Sequence, residues 1–156
     1  MIDQELVIEK CCAVTGHRKI TEDLDFKKLR EVFINLITKG YDTFLIGMAV
    51  GFDTLCFKIL EKLKEDYSIK LVASVPCFNQ DINFTPLQKK VYRDMLKKAD
   101  ITYYISKEYT PYSMQKRNMF MVDNSSVLVA YLREKKGGTY NTVKYATNNN
   151  KKIIYI

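Results

Sequence analysis

The sequence predicts an α/β protein: a Rossmann-like three-layer fold with a mostly parallel sheet of about six strands and helices on both faces. Three observations predict it. Short apolar runs alternate with segments of helical periodicity along the whole chain. Three of those runs end in glycine-bearing turns, at Thr15-Gly16-His17-Arg18, Gly47-Met48-Ala49-Val50-Gly51 and Lys136-Gly137-Gly138-Thr139. No repeat, low-complexity tract or Pro/Ser linker divides the 156 residues, so 1–156 reads as one domain with a real core.

The elements follow in order. Strand one is expected from Ile8 to Thr15. Phe26, Leu29, Phe33, Leu36 and Ile37 then recur at helical spacing, and Gly40 ends that helix. Strand two is Thr43 to Ile46. Leu55, Ile59, Leu60 and Leu63 mark helix two. Strand three runs from Lys70 to Val75 and is stopped by Pro76. Thr85-Pro86 starts helix three, because proline at a first-turn position lacks only an N–H that would be unpaired there anyway. Ile101 to Ile105 is strand four, Tyr112 to Val122 helix four, and Val127 to Tyr131 strand five. Helix five is Tyr140 to Asn148, and Lys152 to Ile156 is strand six. Such alternation implies right-handed crossovers between parallel strands. The run Cys77 to Phe84 is long and polar-aromatic, a candidate binding loop.

Composition narrows the function classes. The opening Met1-Ile2-Asp3-Gln4-Glu5 is acidic and lacks a signal-peptide layout, and no apolar run approaches a membrane span. Cys11, Cys12, Cys56 and Cys77 form no Cys-x-x-Cys pair, so reduced thiols in the cytoplasm are the expectation. Cys11 and Cys12 should face opposite sides of a strand. His17 is the only histidine, which argues against a metal site and against a catalytic role for Cys77. No cofactor is expected. Net charge is +7 and favours anionic partners, yet the lysines are scattered over polar helix faces. A contiguous basic surface would support nucleic-acid binding, and scattered lysines would weaken it.

In a parallel sheet all strand C-termini share one edge, so the three glycine turns should converge there. Gly137-Gly138 lets the backbone approach a bulky anion, and the helix that follows offers unpaired N–H groups. Thr139 and Thr142 add hydroxyls, and Lys135 and Lys136 add charge. Thr15, Gly16, His17 and Arg18 form the first turn, with Arg18 suited to bidentate phosphate contact or else to a surface ion pair. Gly47 and Gly51 shape the second turn, and Asp53 is either a ribose-hydroxyl acceptor or a helix cap. Gln80 lies in the polar-aromatic loop. Arg117 reads as an anion ligand or a core-flanking ion pair. Phe78, Phe84 and Tyr112 are base-stacking candidates, with ordinary packing the alternative.

These motifs, taken in order with Pro76, Asn118, Val122-Asp123 and Asn141, resemble the YpsA-like branch of the SLOG superfamily, related to LOG phosphoribohydrolases and to the DNA-processing Smf/DprA proteins. The resemblance covers about residues 10 to 156. It implies a Rossmann-like domain that binds a nucleotide or a nucleotide-derived signal, and a tendency to homo-oligomerise. LOG-type enzymes carry Met-x-x-Arg-Lys-x-x-Met on a helix and Pro-Gly-Gly-x-Gly-Thr-x-x-Glu in a turn. Met114 to Met121 is similar to the first, with Arg117 at the arginine and Asn118 in place of lysine. In the second, Lys136 stands at the proline, and none of Thr142, Val143 and Lys144 is acidic. Cleaving a glycosidic bond needs a carboxylate near the developing positive charge. The expectation is therefore a nucleotide sensor or sequestering module rather than an enzyme. A nucleoside 5′-monophosphate N-glycosidase stays open as the alternative, with Arg117 and Asp53 (or Asp123) as its catalytic groups. A nucleic-acid- or protein-binding regulator is the third reading.

Overall fold

A computed structural model describes residues 6–156. The acidic stretch 1–5 lies outside the described residues. The elements are β1 (Cys11–Gly16), α1 (Phe26–Thr38), β2 (Thr43–Ile46), α2 (Phe52–Leu63), β3 (Lys70–Val75), α3 (Pro86–Lys98), β4 (Ile101–Tyr104), α4 (Ser113–Asp123), β5 (Val127–Tyr131), α5 (Gly138–Asn148) and β6 (Lys152–Tyr155). The six strands form one sheet in the order β4-β3-β2-β1-β5-β6. Every pairing is parallel, so the sheet is wholly rather than mostly parallel. The architecture is the expected α/β Rossmann-like one.

Local chemistry explains the element ends. Asp25 caps α1, its carboxylate accepting from the Lys28 N–H at 3.0 Å. Thr85 and Gln88 form a reciprocal capping box on α3, with Pro86 in the first turn. Phe26, expected on the apolar face of α1, sits in its first turn and is 56% exposed. Two boundaries differ from expectation by more than one residue. Ile8–Lys10 is a short 3-10 turn, and β1 begins only at Cys11, where pairing with Thr43 starts. Helix α5 begins at Gly138 rather than Tyr140, because Gly137 alone serves as its cap.

Period-two alternation splits the core into two layers. Cys12, Val14, Phe44, Ile46, Leu71, Ala73, Val127 and Val129 face α1, α2 and α3. Cys11, Ala13, Leu45, Val72, Leu128 and Ala130 face α4 and α5. The neighbours Cys11 and Cys12 thus point to opposite faces, and all four cysteines are free buried thiols. No helix among the described residues is long and apolar enough to cross a membrane.

The strand order sets up the site. The chain winds outward from β1 to β4, then returns to lay β5 on the other side of β1. The connections therefore leave β1 and β5 toward opposite faces of the sheet, which opens a crevice between their C-terminal ends.

Candidate functional site

A cleft of about 570 Å³ occupies that crevice. The turn after β1 supplies Thr15, Gly16, His17 and Arg18, and the turn into α5 supplies Lys136, Gly137, Gly138 and Thr139. Asp53 of α2 and Arg117 of α4 reach it from the two helix layers. The turn after β2 adds Ala49, so all three glycine turns border the cleft, although Gly47 and Gly51 themselves do not line it.

The glycines differ in what surrounds them. At Gly137 and Gly138 an added Cβ would meet nothing within 4 Å, so the protein leaves open space beside this backbone. Gly137 has φ +92°, which glycine alone adopts without strain. The first intrahelical bond of α5 is donated by Asn141 to the Gly137 carbonyl at 3.0 Å. The N–H groups of Gly138, Thr139 and Tyr140 precede it and have no intrahelical partner. Gly16 instead packs on Phe52, whose ring a Cβ would meet at 2.4 Å. Gly51, with φ +86°, lies so close to the Arg18 carbonyl that a Cβ would sit 2.1 Å from it. Gly51 lines a neighbouring apolar groove between α2 and α3, not the cleft.

Gly47 lies behind the cleft, between two buried charges. A Cβ there would meet Arg117 Nη1 at 2.6 Å and Asp53 Oδ2 at 2.9 Å. The Gly47 carbonyl accepts from Arg117 Nη1 and from Gln80 Nε2, the latter at 3.1 Å. Gln80 is therefore an interior brace under the floor. Arg117, 5% exposed, also reaches the Ser74 carbonyl at 3.4 Å, and its Nε donates to Asn118 Oδ1 at 2.8 Å. Burial pulls its pKa below the ordinary arginine range, opposed chiefly by the Asp53 carboxylate.

Asp53 is 7% exposed, and its Oδ2 accepts from the Ala49 N–H at 3.1 Å. Burial pushes its carboxyl up to about 6, against the opposing pull of Arg117, the Ala49 N–H and Arg18. The sign of the linkage follows. Between the unfolded value of 3.8 and about 6 the folded chain holds a proton that the unfolded chain has released. Asp53 thus favours folding most at low pH, and that contribution is lost as pH rises through about 6. Relative to wild type, Asp53→Asn should gain about 3 kcal/mol of stability between pH 4 and pH 8, because a two-unit shift at 1.4 kcal/mol per unit no longer titrates. Denaturant titrations of both proteins at the two pH values check this, and parallel curves would contradict it.

The remaining residues divide clearly. No hydrogen bond or ion pair holds the exposed Arg18 guanidinium among the described residues, so it is a free cation on the cleft wall. His17 Nε2 accepts from the Arg133 N–H at 2.8 Å, which leaves Nδ1 as the proton-bearing nitrogen. Thr139 lines the cleft, whereas Thr142 lines a hollow between α4 and α5 and donates to the Gly138 carbonyl at 2.7 Å. Tyr145 donates to Asp123 at 2.7 Å, outside the cleft. Of the aromatic candidates, Phe84 lines the α2–α3 groove, Tyr112 is exposed, and Phe78 packs on Tyr104 with ring centroids 4.7 Å apart. Sequence reasoning did not assign Glu134 or Asn118 to the site, yet both line the cleft. Their signal is position: Glu134 follows β5 directly, and Asn118 adjoins Arg117 on α4.

Known proteins share this frame. The chain is 33% identical over 133 residues to the uncharacterized SPbeta prophage-derived protein YoqJ of Bacillus subtilis, covering 76% of this chain and 78% of that protein. DNA processing protein A of Helicobacter pylori, described with a single-stranded DNA binding mode, superposes with TM-score 0.69 at 16% identity over 95% of this chain and 65% of its own. DNA processing protein A of Streptococcus pneumoniae gives 0.64 at 14% identity, and this chain spans 50% of its length. At such identities the likeness to the two solved structures is one of fold alone. The sequence model of the YspA SLOG family matches residues 13–156, and the chain belongs to that family.

Proposed function

We propose that the cleft binds a nucleotide or nucleotide-derived signal through its phosphate, as a sensing or sequestering module. The observation that carries this reading is the coincidence, at the β1/β5 switch point, of an open glycine-lined helix N-terminus with a free Arg18 and a buried Arg117. Helix-terminal N–H groups and guanidinium groups are the two protein elements that best match phosphate oxygens. Thr15, Thr139 and Asp53 line the same cleft, and this reading gives their oxygens the sugar hydroxyls. Gly16 and His17 shape the β1 side, while Gly47, Gly51, Gln80 and Thr142 act from behind or beside it. The four free thiols support a reducing compartment, the cytoplasm, as the place of work. Self-association belongs to the same proposal, and sedimentation reads it.

Calorimetry with 5′-mononucleotides tests the phosphate reading. Arg18→Ala should weaken binding by about 1.5–3 kcal/mol, the scale of a hydrogen bond to a charged group, without moving the melting temperature. Arg117→Ala should weaken binding comparably and also destabilise the fold, since it leaves the buried Asp53 carboxylate without its main opposite charge and takes one of two donors from the Gly47 carbonyl. Unchanged affinity in both variants would remove phosphate recognition from these residues. No acidic residue follows Gly137-Gly138 within α5's first two turns, so release of free base from any of the mononucleotides should be negligible by chromatography. Turnover at about 1 s⁻¹ that is lost in Asp53→Asn would promote the hydrolase instead.

A second reading rests on a different surface. Lys89, Lys90, Arg93 and Lys97 of α3 line one hollow of about 430 Å³, a contiguous basic face. The register Val75↔Tyr104 places the exposed Phe78–Tyr104 pair on the same side of the sheet as α3. Basic and aromatic groups together suit single-stranded nucleic acid. Asp94 lines the same hollow and Asp81 pairs with Arg93 at 3.4 Å, which lowers its net charge and keeps this reading second.

A further inference from the structure

A smaller hollow of about 280 Å³ lies between α4 and α5 and adjoins the cleft. The two share Met114, Asn118 and Gly138 as a common wall. Their chemistry differs sharply. Arg18, Asp53, Arg117, Glu134 and Lys136 all line the cleft, while no acidic or basic side chain lines the hollow. Its polar side chains are the amides of Gln115, Asn118 and Asn141 with the hydroxyls of Thr142 and Tyr145, and its apolar surface includes Pro111, Met114 and Met119.

The amides are available. Elsewhere in the chain amides serve the protein itself: Asn124 and Asn149 donate to the Phe120 and Tyr145 carbonyls at 2.8 and 2.7 Å. Gln115 and Asn141 have no side-chain hydrogen bond among the described residues. Asn118 accepts from Arg117 Nε through Oδ1, which leaves its NH₂ group to donate. The other polar groups of the hollow are engaged, Thr142 with the Gly138 carbonyl and the Tyr145 hydroxyl with Asp123. A charge-free recess with apolar walls and free amide donors and acceptors matches the flat face and polar edge of a nucleobase. A phosphate would find no cation there.

We propose that the hollow between α4 and α5 is a nucleobase subsite, so that cleft and hollow together take one nucleotide with its phosphate against Gly137-Gly138 and its base between the two helices. The proposal rests on the phosphate reading of the cleft and adds the part of the ligand that would be read. The Arg117–Asn118 hydrogen bond then ties the two subsites together, one residue facing the anion and its neighbour the base.

The test is calorimetry of the full chain with the 5′-monophosphates of adenosine, guanosine, cytidine and uridine, and with ribose 5-phosphate, which lacks the base. Wild type is compared with Gln115→Ala, Asn141→Ala and the double variant, all at exposed positions away from the core. At least one mononucleotide should bind about tenfold or more tighter than ribose 5-phosphate, the worth of one or two net hydrogen bonds with some apolar burial. The double variant should lose that advantage while its affinity for ribose 5-phosphate and its melting temperature stay unchanged. Equal binding of all five ligands would overturn the base subsite and leave the phosphate cleft standing. So would a base-dependent gain that survives in the double variant, since the base would then sit elsewhere. Absence of binding for all five would overturn both.

Discussion

Gly138→Val is expected to abolish nucleotide binding while leaving the fold intact. Both halves of that result come from local geometry. A Cβ on Gly138 meets no protein atom within 4 Å, and Gly138 is already helical with no positive φ. Valine is no worse a helix former than glycine, so stability should move by no more than about 0.5 kcal/mol. The isopropyl group would occupy open space beside Gly138 at the cleft, where the ligand's anion is proposed to sit. Gly138 also forms part of the wall between the cleft and the α4–α5 hollow, so the same group would obstruct both. Calorimetry at ligand concentrations that saturate wild type should show no heat of binding, and thermal melting should be nearly unchanged. Wild-type affinity in a folded Gly138→Val protein would place the ligand elsewhere.

The largest loss of stability is expected at Gly51, and a paired comparison explains why. Gly51 and Gly137 share a positive φ, +86° and +92°, and each caps the start of a helix. Alanine is strained at either position by about 1–2 kcal/mol. At Gly137 that is the whole cost, because nothing lies within 4 Å of the added carbon. At Gly51 the carbon falls 2.1 Å from the Arg18 carbonyl oxygen, and a backbone atom cannot swing aside as a side-chain tip can. Separating the two turns adds roughly 1–3 kcal/mol more, for a total of roughly 2–5 kcal/mol. Gly51→Ala should therefore melt far below Gly137→Ala in thermal scans. It should also displace Arg18 and weaken anion binding in whatever fraction folds. Similar melting temperatures for the two variants would show that the contact between the β1 and β2 turns is softer than the geometry implies.

Much of the fold was legible because its signals are local. β2, β3 and β5 run from Thr43, Lys70 and Val127 as their apolar runs suggest, and Thr85-Pro86 starts α3 as its capping chemistry requires. Ile8–Lys10 misled because apolar character cannot say where a partner strand begins, and the β1–β2 pairing begins at Cys11. The tandem glycines misled by two residues at α5, since only Gly137 has the positive φ of a turn and Gly138 is free to be helical. Strand order was not legible at all. It depends on which strand the chain returns to after β4, and no local pattern states that β5 lies beside β1.

The same division runs through the candidate site. Thr15, Gly16, His17 and Arg18 could be placed at a strand end from sequence, because a strand-to-turn boundary is a local event. Gln80 and Gly47 stood out equally, yet their bond to each other crosses 33 positions and turns both into interior support. Arg117 likewise braces the floor through the Gly47 and Ser74 carbonyls, which periodicity on α4 cannot reveal. The contiguous basic face on α3 shows the converse. Lysines that look scattered along the chain gather at Lys89, Lys90, Arg93 and Lys97 once a helix brings them to one side.

The most direct test of the proposal that the cleft binds a nucleotide is where a nucleotide touches the chain. In a titration of ¹⁵N-labelled protein with a 5′-mononucleotide, the backbone amides of Thr15, Gly16, His17 and Arg18 and of Gly137, Gly138 and Thr139 should shift together and saturate with one affinity. Those of α3 and of the α2–α3 groove should stay in place. Shifts confined to α3 or to that groove, with the β1 and β5 turns unmoved at saturation, would contradict the account.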